Sequence, residues 1–181
     1  MKNSLTVFVV FLVFAVTGSA QTKKFESIYT SLSDKVCKTA ELYVNEDGSY
    51  RGICPGIGGY RLELLEGDLR QTINVVAPNR KKSELNLWTI VSSGFFAVGA
   101  KAEWRVTRNG KKFVPLTLII RFNTSKSPET PEQNNSFLAV IKITNNSACV
   151  TDVVEPGVQN QNVKARELAD VSAAEPCKVS Q

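Results

Sequence analysis

Six residues pair a fixed charge or an indole with a place in or beside an apolar run: Asp68, Arg70, Glu103, Trp104, Arg105 and Arg121. Guanidinium forks bind carboxylates bidentately, and an indole offers a broad apolar face with one N–H donor, so these types could form a carboxylate- or sugar-binding patch. In Glu103-Trp104-Arg105 the period of two puts both charges on one face of a strand and the indole on the other. Arg121 closes the apolar run that ends LIIR. The competing, structural reading is an ion-paired network at a sheet edge with Trp104 in the core. It is the reading the placement favours, because charges set amid apolar residues need partners.

The stretch CPGIGGY at 54–60 raises a second question, since glycine-rich loops sometimes cradle phosphates. A phosphate loop leads into a helix whose N-terminal amides face the anion, with Lys-Ser or Lys-Thr following. Here YRLELLE follows, which alternates like a strand. Gly56, Gly58 and Gly59 are therefore read as a sharp structural reversal, with positive φ expected at Gly58 or Gly59.

There is no histidine, so serine and cysteine nucleophiles lack their usual base. A Ser-Lys dyad or a carboxylate pair remains possible among seventeen acidic residues, but their spacing singles out none. No catalytic residue is assigned. Neither a metal nor a cofactor is expected, because no two cysteines stand at zinc-ligand spacing.

The four cysteines, Cys37, Cys54, Cys149 and Cys177, read instead as two disulfides. Residues 1–20 carry Lys2, an apolar core from Leu5 to Val16 and Gly18-Ser19-Ala20 before Gln21, the pattern of a secretory signal peptide. An apolar stretch of twelve residues is short of the roughly 20 a membrane-spanning helix needs, so no transmembrane span is expected in the mature chain. The formal charge of +5 is spread out, and its densest run is Arg80-Lys81-Lys82. Nucleic-acid binding is not expected from so dispersed a charge, and NRKKSE reads as a charged surface loop.

After a polar segment at 21–36, in which Phe25, Ile28 and Leu32 could line one helical face, residues 37–178 read as a single β-rich domain. TAELYV and SYRGIC flank the turn composition NEDG, a hairpin that would bring Cys37 to Cys54. YRLELLE, RQTINVVA, LNLWTIV, SFLAVIKIT and ACVTDVV add strands, and NTSKSPETPEQNNS reads as an exposed polar loop with Asn-X-Ser sites about it. Asn109-Gly110 predicts a type I′ turn pairing Val106 with Phe113 and Trp104 with Pro115, and Pro115 belongs at an edge or bulge. NVKARELADVSAA predicts a helix capped by Asn162 and stopped by Pro176, with Ala165, Leu168, Ala169 and Ser172 on one face. A Cys149–Cys177 bridge would pin it to the sheet. The expected class is α+β: a mostly antiparallel sheet of about seven strands, one C-terminal helix packed on it, and two disulfides.

Several stretches in order, CPGIGGYRL, GDLR, AEWR, LIIRF, ACVTDVV and NVKARELAD with its closing Pro-Cys, resemble a group of uncharacterised exported bacterial proteins. The likeness spans about Cys37 to Cys177. It implies export and carries no activity or site residue with it. The function expected is thus a non-enzymatic binding, inhibitor-type or envelope-associated module whose partner is a protein or an envelope glycan. The alternatives are a carboxylate-dependent hydrolase or lyase acting on such a glycan, and an assembly protein using a free sheet edge near Pro115.

Overall fold

The computed structural model describes residues 24–42, 49–92, 94–125 and 135–179. The expected leader, the NEDG turn and most of the expected polar loop lie outside the described residues. The elements are β1 (Glu26–Ser31), β2 (Lys38–Leu42), β3 (Tyr50–Pro55), β4 (Arg61–Gly67), β5 (Arg70–Val76), β6 (Lys82–Glu84), α1 (Leu87–Ile90), β7 (Phe95–Asn109), β8 (Lys112–Ser125), β9 (Asn135–Ile143), β10 (Ala148–Val154) and α2 (Gln161–Val171), with a 3-10 turn at Ser172–Ala174.

The strands form two antiparallel sheets of five, not one of about seven. Their orders are β1-β7-β8-β9-β10 and β2-β3-β4-β5-β6. Alternation within the strands explains the arrangement. Trp104, Leu118, Ile120, Phe122, Ala139 and Ile141 leave one face of the first sheet and meet Leu62, Leu64, Ile73 and Val75 from the second in one buried cluster. Ile119, Leu138 and Val140 leave the opposite face and meet Ala165 and Ala169 of α2 in another. The first sheet is thus covered on both sides, by a sheet and by a helix.

Three local expectations change. The segment holding Phe25, Ile28 and Leu32 is not helical: β1 pairs with β7, with Ile28 opposite Trp104. Its serines, threonine and tyrosine suit a pleated strand with one polar face. LNLWTIV is not a strand but the single turn α1, preceded by Asn86 at φ 48 and with Leu87 fully buried. A run so short shows no period that separates helix from strand. In α2, Asn160 rather than Asn162 is the N-cap.

The β7–β8 turn differs in type from expectation. In β7–β8, Asn109 pairs with Lys112, so Gly110 and Lys111 form the turn, and only Gly110 has positive φ. This is the type II′ pattern. Trp104 accordingly faces Leu118 and Val106 faces Pro115, with a register shift beside Pro115 that leaves Leu116 as the extra residue of a bulge. An I′ pattern is found between β4 and β5, where Asp68 (φ 50) and Leu69 (φ 57) lie between the paired Gly67 and Arg70. Of the glycosylation-type sites, Asn123 lies within β8 opposite Ser136 rather than in an exposed loop.

Both expected disulfides are present: Cys37–Cys54 and Cys149–Cys177. The second holds the C-terminal tail along the edge strand β10, where the Lys178 amide donates to the Val150 carbonyl at 2.7 Å.

Leu69 is 65% exposed and holds a left-handed conformation that a branched side chain resists. Leu69→Gly is expected to raise stability by roughly 1 kcal/mol, measured by chemical denaturation; an unchanged midpoint would show the turn to be unstrained.

Candidate functional site

Glu103 and Arg105 of β7 form a network with α2. Two strand residues advance about 6.6–6.8 Å, and four helical residues advance about 6 Å. Glu103 and Arg105 on the strand are therefore matched by Arg166 and Asp170 on the helix. Arg166 donates from Nε to Glu103 Oε1 at 2.6 Å and from Nη2 to Oε2 at 3.1 Å. Arg105 donates to both oxygens of Asp170, each at 2.7 Å. Ser27 on β1 links the two pairs, accepting from Arg105 at 2.7 Å and donating to Glu103 at 2.5 Å. Tyr29 accepts from Arg166 at 2.9 Å.

Burial by itself would raise the Glu103 pKa, but the bonds from Arg166 and Ser27 and the Arg166 charge outweigh it and hold the carboxyl below its ordinary value. Its partner Arg166 is raised correspondingly. The network lies on the helix-facing side of β7, the second strand of its sheet, rather than at the edge.

The other members of the expected patch lie elsewhere. Trp104 is fully buried on the opposite face and donates from Nε1 to Thr30 at 2.9 Å. Arg121 holds the first turn of α2: it donates to Asn162 at 2.7 Å, to Gln161 at 3.2 Å and to Ser136. Asp68 and Arg70 stand at the β4–β5 turn of the second sheet. The six residues do not form one ligand patch.

CPGIGGY closes an end of the inter-sheet core. A Cβ on Gly56 would meet the Tyr60 carbonyl oxygen at 2.4 Å and Trp104 Cζ2 at 3.0 Å. Gly58 and Gly59 have φ of 64° and 86°, and a Cβ on Gly58 would lie 2.9 Å from Pro115 Cδ and 3.3 Å from the Phe113 carbonyl oxygen. The loop thus lies against the part of β8 that extends beyond the β9 ladder, which begins at Thr117. With Pro115 offering no N–H, that edge is guarded against strand addition.

Around the same loop opens a cleft of about 840 Å³. Ile57 and Tyr60 from the loop, Pro78, Phe113 to Leu116, and Ile143 to Asn145 line it, with Lys112 at its rim. Tyr60 donates to the Thr144 carbonyl at 2.7 Å, and burial raises its pKa. Among the described residues, no carboxylate lines the cleft. Among the described residues, no group of three histidine, cysteine or acidic side chains is arranged to hold a metal.

Sequence reasoning missed Arg166, Asp170 and Glu63. The signal for the first two was the i,i+4 Arg–Asp spacing in ARELAD, which repeats the separation of Glu103 and Arg105 with the charges reversed. Glu63 sits in an alternating strand and is only 1% exposed, accepting from Arg51 at 2.7 Å and Asn74 at 3.0 Å. Burial pushes its pKa up, and Asn74, Arg51 and Lys82 more than reverse that.

Arg105→Ala is expected to destabilise by about 2–3 kcal/mol, below the range for a fully buried pair because Asp170 stays 30% exposed. Glu63 and Glu103 have lowered folded pKa values, so their contribution is full above the unfolded carboxylate value near ~4.3 and disappears as pH falls through the folded values. Glu103→Gln should flatten the acid side of a melting-temperature profile; an unchanged slope would show the pair to be inert. Gly58→Ala should cost about 2 kcal/mol, from the left-handed backbone and the approach to Pro115, measured by the same melts.

In comparisons with known proteins, no family model, curated protein or solved structure matches the chain.

Proposed function

We propose that this is an exported, non-catalytic binding module whose open cleft receives an apolar segment of a partner protein. The observation that carries the reading is the lining: Ile57, Pro78, Phe113, Val114, Pro115 and Ile143 make an apolar wall with Lys112 and Asn145 as polar groups. Its volume suits a small ligand or a few inserted side chains. A glycan site would need several planar amide or carboxylate groups, and among the described residues Asn145 is the single such side chain in the lining. A protein partner therefore fits better than an envelope glycan.

The glycan-hydrolase alternative needs a carboxyl whose pKa is raised so that it donates a proton. Glu63 and Glu103 are held ionised by arginines, which favours binding over such chemistry. Assembly through the β8 edge is disfavoured by Pro115 and the glycine loop over it. Export is supported by the leader-type sequence, by two disulfides and by the resemblance to exported bacterial proteins. Among the described residues, no helix is long and apolar enough to cross a membrane.

Peptide and envelope-glycan arrays probed with the oxidised protein separate these readings. Peptides rich in aromatic and aliphatic side chains should bind, and Val114→Asp, at a position 37% exposed, should weaken them at least tenfold with no change in melting temperature. Glycan binding that Val114→Asp leaves intact would overturn the proposal.

A further inference from the structure

The outer face of the second sheet gathers a cationic basin. Register places Ile53, Glu63, Asn74 and Glu84 in one row across β3, β4, β5 and β6, and Arg61, Val76 and Lys82 in the next row across β4, β5 and β6. Arg51, two residues before Ile53 on β3, projects from the same face. Arg80 reaches in from the β5–β6 loop, where its backbone is held at φ 69 and its amide donates to the Ala77 carbonyl at 2.8 Å. A concavity of about 400 Å³ results, lined by Arg51, Arg61, Arg80 and Lys82 around Glu63.

Four cations line the basin around Glu63, and Glu84 borders it beside Lys82, so an excess of two positive charges remains. Glu63 uses its oxygens on Arg51 and Asn74, with Lys82 at 3.4 Å, and so fixes two of the cations in place. Lys82 is shared with Glu84 at 3.6 Å, outside the lining. The exposed guanidinium groups of Arg61 and Arg80 pair with no side chain among the described residues. Two prepositioned cations beside two unspent guanidinium forks, one of them carried on a left-handed residue, are suited to a tetrahedral oxyanion.

We propose that this basin binds a phosphate or sulfate group, its volume accommodating two linked oxyanions as in a diphosphate. The site is separate from the apolar cleft and independent of the reading given to that cleft. It concentrates charge that the sequence disperses: Arg80 and Lys82 come from one run, Arg51 and Arg61 from two strands.

The test is an NMR titration of the arginine side-chain Nε–H signals in the oxidised protein with pyrophosphate, inorganic phosphate and sulfate, each at constant ionic strength against chloride. Saturable shifts at Arg51, Arg61 and Arg80 are expected, with pyrophosphate tightest. Tighter binding of sulfate than phosphate would assign the source as a sulfated ligand. Arg61→Gln/Arg80→Gln alters two exposed side chains and should weaken binding at least tenfold with an unchanged melting temperature. Should that variant melt early, Arg61→Lys, which keeps the charge and loses the fork, is expected to weaken pyrophosphate severalfold. Linear, non-saturating shifts like those in chloride, or equal affinity in the variants, would overturn the proposal.

Discussion

Strand β8 contributes to two cores at once, and the rest of the molecule is arranged around that fact. Leu118, Ile120 and Phe122 point toward the second sheet while Thr117, Ile119 and Arg121 point toward α2. Neither face can be left to water: burying one large aliphatic or aromatic side chain contributes about 1.5–3 kcal/mol. The two disulfides then act at the margins. One joins the hairpin of the second sheet at its open end; the other holds the tail after α2 against β10.

The same two-sidedness decides where charge can be placed. On the helix side, β7 offers Glu103 and Arg105, and the helix answers with Arg166 and Asp170. On the outer side of the second sheet no helix or strand among the described residues brings partners, so Glu63 draws Arg51, Asn74 and Lys82 from its own sheet. One buried carboxylate is satisfied between layers, the other within a layer. The first leaves no group for a ligand, and the second leaves Arg61 and Arg80 over.

Much of this was legible in the sequence, because alternation and turn chemistry act locally. Strand periodicity marks YRLELLE and RQTINVVA, and cysteine placement predicts both bridges. ARELAD marks the helix. What could not be read are relations between distant segments. Ten strands can be divided among sheets in many ways, and the inward pattern is the same whether a face meets a helix or another sheet. The β7–β8 turn shows a finer limit: Asn-Gly favours I′, yet the bulge at Leu116 and the packing of Trp104 against the glycine loop select a register two residues away. The six charged or indole positions were read as candidates for one patch, and of them only Glu103 and Arg105 share a network. The two helical partners lie more than sixty residues on.

The helix buries Ala165 and Ala169, side chains without branches or length. Contacts of that kind are nearly smooth: a helix resting on methyl groups can translate along its axis with little change in packing. The paired guanidinium–carboxylate contacts are directional and repeat at one interval only. They act as a detent, so that a slip by one helical turn would set Arg166 opposite Arg105 and like charge against like. Strand and helix are thereby kept in a single axial alignment that the small residues alone would leave free.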